Sequence, residues 1–110
     1  MYQNQNINNP VDIQIRLRIQ KKLAKKISKM AQRNSIKKET CLMLGRRIEE
    51  FLNLESRDID EVYRENVVKV LEFMESSKKK FIEEFIFQRN RKCDIQVLRL
   101  KIVNLLRSLN

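Results

Sequence analysis

A chain of 110 residues suits one domain with one modest core, and 42% apolar against 35% charged residues fits neither a disordered nor a membrane-embedded class. The net charge of +10 points to a polyanion as partner: DNA, RNA, an anionic membrane or an acidic protein. With no His there is no His-based general base, triad or zinc site, and a single Gly leaves no P-loop or dinucleotide fingerprint.

The first nine residues are rich in Asn and Gln and lack the apolar centre of a signal peptide, so they read as a flexible tail. Residues 10–110 then read as one helical domain. Turns of a β fold usually need Gly and Pro, and this chain has only Gly45 and Pro10. Asn9 and Pro10 resemble a helix start, cap first and Pro second, with Asp12 in the first turn. The stripe Ile15, Ile19, Leu23, Ile27, Ala31 predicts helix over 10–33. Ser35 is placed to cap a second helix over 36–54. Its apolar face is Ile36, Thr40, Leu44, Ile48 and Leu52, widened by Cys41, Met43 and Phe51. Gly45 is unfavourable inside that helix by about 1 kcal/mol against Ala, which marks a close approach of two helices.

Ser56-Arg57-Asp58 breaks the pattern, and Asp58 with Glu61 resembles a capping box. A third helix starts near Ile59, with Val62, Tyr63, Asn66, Val67, Val70, Leu71 and Met74 on its face. The same phase runs on to Phe81 and Phe85, so Ser76-Ser77 is either a break or a weak point in a longer helix. After the polar stop Arg89-Asn90-Arg91-Lys92, Asp94 is placed to cap a last helix over 95–109. There Ile95, Leu98, Ile102, Leu105 and Leu109 form a seam, and Val97, Leu100, Val103 and Leu106 a second apolar side. Such a helix is either central in the core or shared with a partner. The fold class expected is an all-α bundle of four or five helices.

Charge is unevenly spread. Residues 1–47 carry twelve Lys and Arg against two acids, residues 48–76 three against nine, and residues 77–110 nine against three. On the first helix Arg18, Lys21, Lys22, Lys25, Lys29 and Arg33 form a basic face opposite the apolar stripe, able to follow a row of phosphates. The plain alternative is a solvated helix surface partly neutralised by the acidic middle. Two further clusters, Lys78, Lys79, Lys80 and Arg89, Arg91, Lys92, resemble a bipartite nuclear localisation signal or a second phosphate patch. Phe81, Phe85 and Phe87 between them fit core better than base stacking. Cys41 reads as a small core residue and Cys93 as a loop thiol, without a disulfide pattern and so in a reducing compartment.

From residue 45 the chain resembles a KIX domain, the three-helix module of transcriptional coactivators and Mediator. The stretches Gly45-Arg46-Arg47-Ile48-Glu49, Asp60-Glu61-Val62-Tyr63 and Val67-Val68-Lys69-Val70 are similar to the end of that family's second helix and the opening of its third. Arg16 to Ile27 is similar to its first helix, so the resemblance covers about 16–80. It implies a KIX-like three-helix core with a groove between helices 1 and 3 that receives an acidic amphipathic activation helix. Tyr63, Val67 and Val70 would line that groove, Leu23 and Ile27 would face them, and Lys69 would stand at the rim. The family's Pro-containing connection between helices 1 and 2 is missing, Val62 replaces one of its paired tyrosines, and the last helix has no counterpart.

These readings converge on a non-catalytic subunit of a nuclear DNA- or chromatin-acting complex. It would contact phosphates, with DNA favoured over RNA, and dock a protein partner through the helix 1/helix 3 groove or through Leu98, Ile102 and Leu105. No cofactor, metal, membrane span or small-molecule substrate is expected. The alternatives are a KIX-type adaptor that binds activation segments without touching nucleic acid, and a purely structural assembly subunit.

Overall fold

A computed structural model describes residues 10–30, 36–83 and 95–108. Among them the protein is all-α, with five helices: α1 (Ile13–Met30), α2 (Lys38–Glu55), α3 (Asp60–Ser76), α4 (Lys78–Phe81) and α5 (Ile95–Ser108). The expected bundle is therefore present. α2 lies at its centre and packs on α1, α3 and α5. One core joins Leu23 and Ile27 of α1, Leu44, Ile48 and Leu52 of α2, and Val67, Val70 and Met74 of α3. Leu98, Ile102, Leu105 and Leu106 of α5 complete it.

The helix starts differ from expectation for tertiary reasons. Asp12 caps α1: its Oδ1 accepts the Gln14 N–H at 2.8 Å, and the Arg16 N–H reaches the Asp12 carbonyl at 3.0 Å. Val11 is held back from the helix because its side chain is buried and its N–H donates to Asp58 Oδ1 at 3.3 Å. The Asp58 N–H goes to the Asn53 carbonyl at 3.2 Å and Ile59 holds the cap position, so the capping box with Glu61 does not form. Ile59 stands at the cap position of α3 without a side-chain bond. Asn9 and Ser35 lie outside the described residues, and Lys37 occupies the cap position of α2.

Between α2 and α3, Arg57 and Asp58 both adopt left-handed backbone, with φ of 53° and 57°. For non-glycine residues this conformation is costly and has to be held by its surroundings. Three backbone bonds hold it, from Arg57, Asp58 and Ile59 to the carbonyls of Leu54, Asn53 and Ser56. Beneath the turn the buried Ser56 hydroxyl donates to the Leu52 carbonyl at 2.6 Å and accepts from Asn66 Nδ2 at 2.9 Å. This explains how Asn66 occupies the apolar face of α3. Ser77 does break the third helix, with φ −135° and ψ 51°, and turns Phe81 into full burial edge-on to Phe73. The expected faces need two exchanges: Met43 and Val62 point outward, whereas Glu49 and Phe73 point in.

Gly45 marks the closest approach of α1 and α2. A Cβ there would stand 2.7 Å from the Ala24 nitrogen and 2.8 Å from the Gln20 carbonyl oxygen. One helical turn along α2, Glu49 is 0% exposed, yet its carboxylate is fully partnered. Arg16 donates through Nε to Oε2 at 2.8 Å and through Nη2 to Oε1 at 3.1 Å. Gln20 donates to Oε1 at 2.8 Å and the Tyr63 hydroxyl to Oε2 at 2.8 Å. Glu49 thus ties α1, α2 and α3 at one point.

Burial pushes the Tyr63 hydroxyl well above its ordinary value of 10.0; the hydrogen bond to Glu49 and the Glu49 charge add to this, and Arg16 opposes it. The folded chain therefore keeps a proton that the unfolded chain releases above 10.0, and stability falls as pH rises past that value. Urea midpoints on either side of it should drop more for the native chain than for Tyr63→Phe. Equal drops in the two chains would contradict this account.

Candidate nucleic-acid interface

α1 places a core stripe and a basic face on opposite sides of one helix. Leu23, Ala24 and Ile27 are buried, while Arg18, Lys21, Lys22, Lys25 and Lys29 are exposed. At 3.6 residues per turn those cations fall on the outward half of α1. The structure then adds a contact that sequence spacing does not show. The short α4 carries Lys78 to the same side, so that Lys22, Lys25, Lys26, Lys29 and Lys78 line one groove of about 530 Å³ between α1 and the junction of α3 with α4. Met30 and Met74 supply its apolar lining, and Glu75 is the one acid there among the described residues.

Glu75 is already engaged. Lys26 forms an ion pair with it, and its carboxyl is held below the usual range first by that hydrogen bond, then by the charges of Lys26, Lys78 and Lys29. The shift reports a positive field over the groove. Glu75 therefore stays ionised at neutral pH without cancelling five lysines.

Four of the nine acids of the middle segment are engaged away from this groove. Among the described residues, Glu49 pairs with Arg16, Glu50 with Arg46 and Arg47, Asp60 with Arg64, and Glu55 with Arg99. Five of the six cations in these pairs and the Lys26 pair are arginines, whose forked guanidinium suits a fixed carboxylate. Arg18, Lys21, Lys22, Lys25, Lys29, Lys78, Lys79 and Lys80 make no ion pair among the described residues. Most of those pairs are solvent-exposed, so each adds little stability, but together they decide which cations are left outward.

The sequence-derived site residues do not all meet. Lys22, Lys25, Lys29 and Lys78 line one groove, whereas Arg18, Lys21 and Lys79 are exposed outside it. Lys80 diverges to a different groove, which it lines with Lys101 and Phe73. Arg33, Arg89, Arg91 and Lys92 lie outside the described residues, as do Phe85, Phe87 and Cys93. Lys26 was missed because it sits off the centre of the row, although its i+4 spacing from Lys22 was a usable signal.

The residues expected to meet a protein partner need correction. Leu23, Ile27, Tyr63, Val67 and Val70 are core, at most 5% exposed, and Leu98, Ile102 and Leu105 are buried as well. They pack on one another and on α2, because each apolar stripe has a partner stripe within the chain. The exposed large apolar residues of α5 are instead Val97 and Leu100, the latter 61% exposed. Cys41 is a buried free thiol, pushed above its ordinary value by desolvation. Among the described residues no helix is long and apolar enough to cross a membrane, and no group of three or more Cys, Asp and Glu is placed to hold a metal ion. No protein family, curated protein or solved structure matches the chain.

Proposed function

We propose that this chain is a non-catalytic, basic helical subunit of a nuclear DNA- or chromatin-acting complex, which contacts nucleic-acid phosphates through α1 and Lys78 and docks a protein partner with another surface. The observation that carries the reading is the convergence of five lysines on one groove whose only acid among the described residues is already paired. Each lysine that meets a phosphate releases condensed counterions, which supplies binding free energy without base readout. Partner docking falls to exposed side chains such as Val97 and Leu100, since the inner side of α5 is committed to the core. Nuclear placement is supported only by the resemblance of the exposed Lys78-Lys79-Lys80 cluster to half of a bipartite import signal.

Titration of labelled duplex DNA over a salt series tests the proposal. Log Kd should rise with log salt with a slope of about 0.9 per phosphate contact. Absent or salt-independent binding would remove it. One observation favours a second reading, the KIX-type adaptor: a groove lies between α1 and the end of α3, with Met30 and Met74 inside a lysine rim. That lining suits an acidic amphipathic segment. Titration with such a peptide should then perturb Met30 and Met74 in the NMR spectrum while duplex DNA fails to bind.

A further inference from the structure

We propose that α1 is the element that holds B-form duplex DNA, lying in the major groove with one bank of lysines toward each phosphate strand; this rests on the phosphate-binding reading above. A second groove, of about 340 Å³, runs along the other side of α1. Its cations are Lys21, Lys25 and Lys38, over the apolar side chains of Ala24, Ile36 and Leu42, and no acid among the described residues lines it. Lys25 lines both grooves and so stands on the crest between them. Lys21 and Lys26 are five residues apart, which sets them roughly 140° apart around the helix axis. Arg18, Lys22, Lys25 and Lys29 fill the arc between, and Leu23, Ala24 and Ile27 anchor the opposite side to the core.

A cationic arc of this width has more positive surface than a single backbone uses. A helix with its side chains is about 10–12 Å across, close to the roughly 12 Å width of the major groove of B-form DNA. Seated there, the two banks face opposite strands. The A-form major groove of duplex RNA is too narrow to admit a helix. Single strands are usually held by stacking on exposed aromatics, and the described aromatics Phe51, Tyr63, Phe73 and Phe81 are all buried. Five of the nine exposed side chains of α1 are cations, which position on phosphates and carry no sequence information; the others are Ile13, Gln14, Leu17 and Ser28.

The test compares the full chain with Lys21→Gln/Lys38→Gln and with Lys22→Gln/Lys29→Gln by fluorescence anisotropy, on a short duplex DNA, the matching duplex RNA and one DNA strand. All four residues are exposed, and circular dichroism checks that helix content is unchanged. Each double variant should lower the salt slope on duplex DNA by about 1.8, from two contacts at about 0.9 each. Duplex RNA and the single strand should bind more weakly than duplex DNA. If Lys22→Gln/Lys29→Gln lowers the slope but Lys21→Gln/Lys38→Gln does not, the seat between two strands is wrong and one-sided phosphate binding stands. Equal binding of duplex RNA also overturns the seat. If neither variant changes the slope, the phosphate-binding reading fails with it.

Discussion

Arg16→Met should lower the free energy of unfolding by about 3 kcal/mol, toward the lower end of what breaking a buried ion pair costs. Glu49 is wholly buried, whereas the Arg16 side chain keeps 22% of its exposure, so some relaxation toward water is available. What remains after the substitution is a carboxylate inside the core with only Gln20 and Tyr63 donating to it. The cost comes from that stranded charge and not from the worth of the pair. Arg16→Met/Glu49→Met removes both charges and should therefore lose clearly less than the sum of the two single variants, by about 0.5–3 kcal/mol of coupling. Urea midpoints at constant m-value measure all three chains. Strict additivity would show that Glu49 and Arg16 do not act as one unit.

Gly45→Ala should destabilise by about 2 kcal/mol, although the substitution improves helix propensity by about 1 kcal/mol. The sign follows from what the new methyl meets. Both close neighbours, the Ala24 nitrogen and the Gln20 carbonyl oxygen, are backbone atoms of α1 and have no rotamer to change. α1 must shift as a whole, and with it Leu23, Ile27 and the bonds from Arg16 and Gln20 to Glu49. A fall in Tm of roughly 10 °C is expected for a domain this size. A rise in Tm would mean that the two helices are not in close contact at this point.

Much of this architecture is legible in the sequence where one short-range rule decides the outcome. Gly45 was conspicuous because a lone glycine in a strong helix needs a reason. The stripe Ile15, Ile19, Leu23, Ile27 was legible too, but each i+4 step advances about 40° around the axis, so Leu23 and Ile27 are buried while Ile15 and Ile19 are only half-buried. Failures came where a distant residue decided. Asp58 looked like a cap from its neighbours and became an acceptor for Val11, 47 positions away. Glu49 carries no local sign of its burial, because nothing in a linear chain shows that Arg16, Gln20 and Tyr63 will meet it. The helix 1 row was visible as a charged face, whereas the arrival of Lys78 and Lys38 on its two flanks depends on how α4 and α2 pack.

Scaffold cohesion and surface potential are carried by different chemical groups. The ion pairs among the described residues rest mainly on guanidinium groups, while the outward arc of α1 is mainly primary amines. Acylation of an amine removes its charge, and a guanidinium is untouched by the same reaction. Progressive acylation would therefore discharge the lysines of the α1 arc and open the Lys26–Glu75 pair, while leaving the Arg16–Glu49 clamp and the arginine pairs closed. Attraction for a polyanion could thus be graded residue by residue in a chain that stays folded.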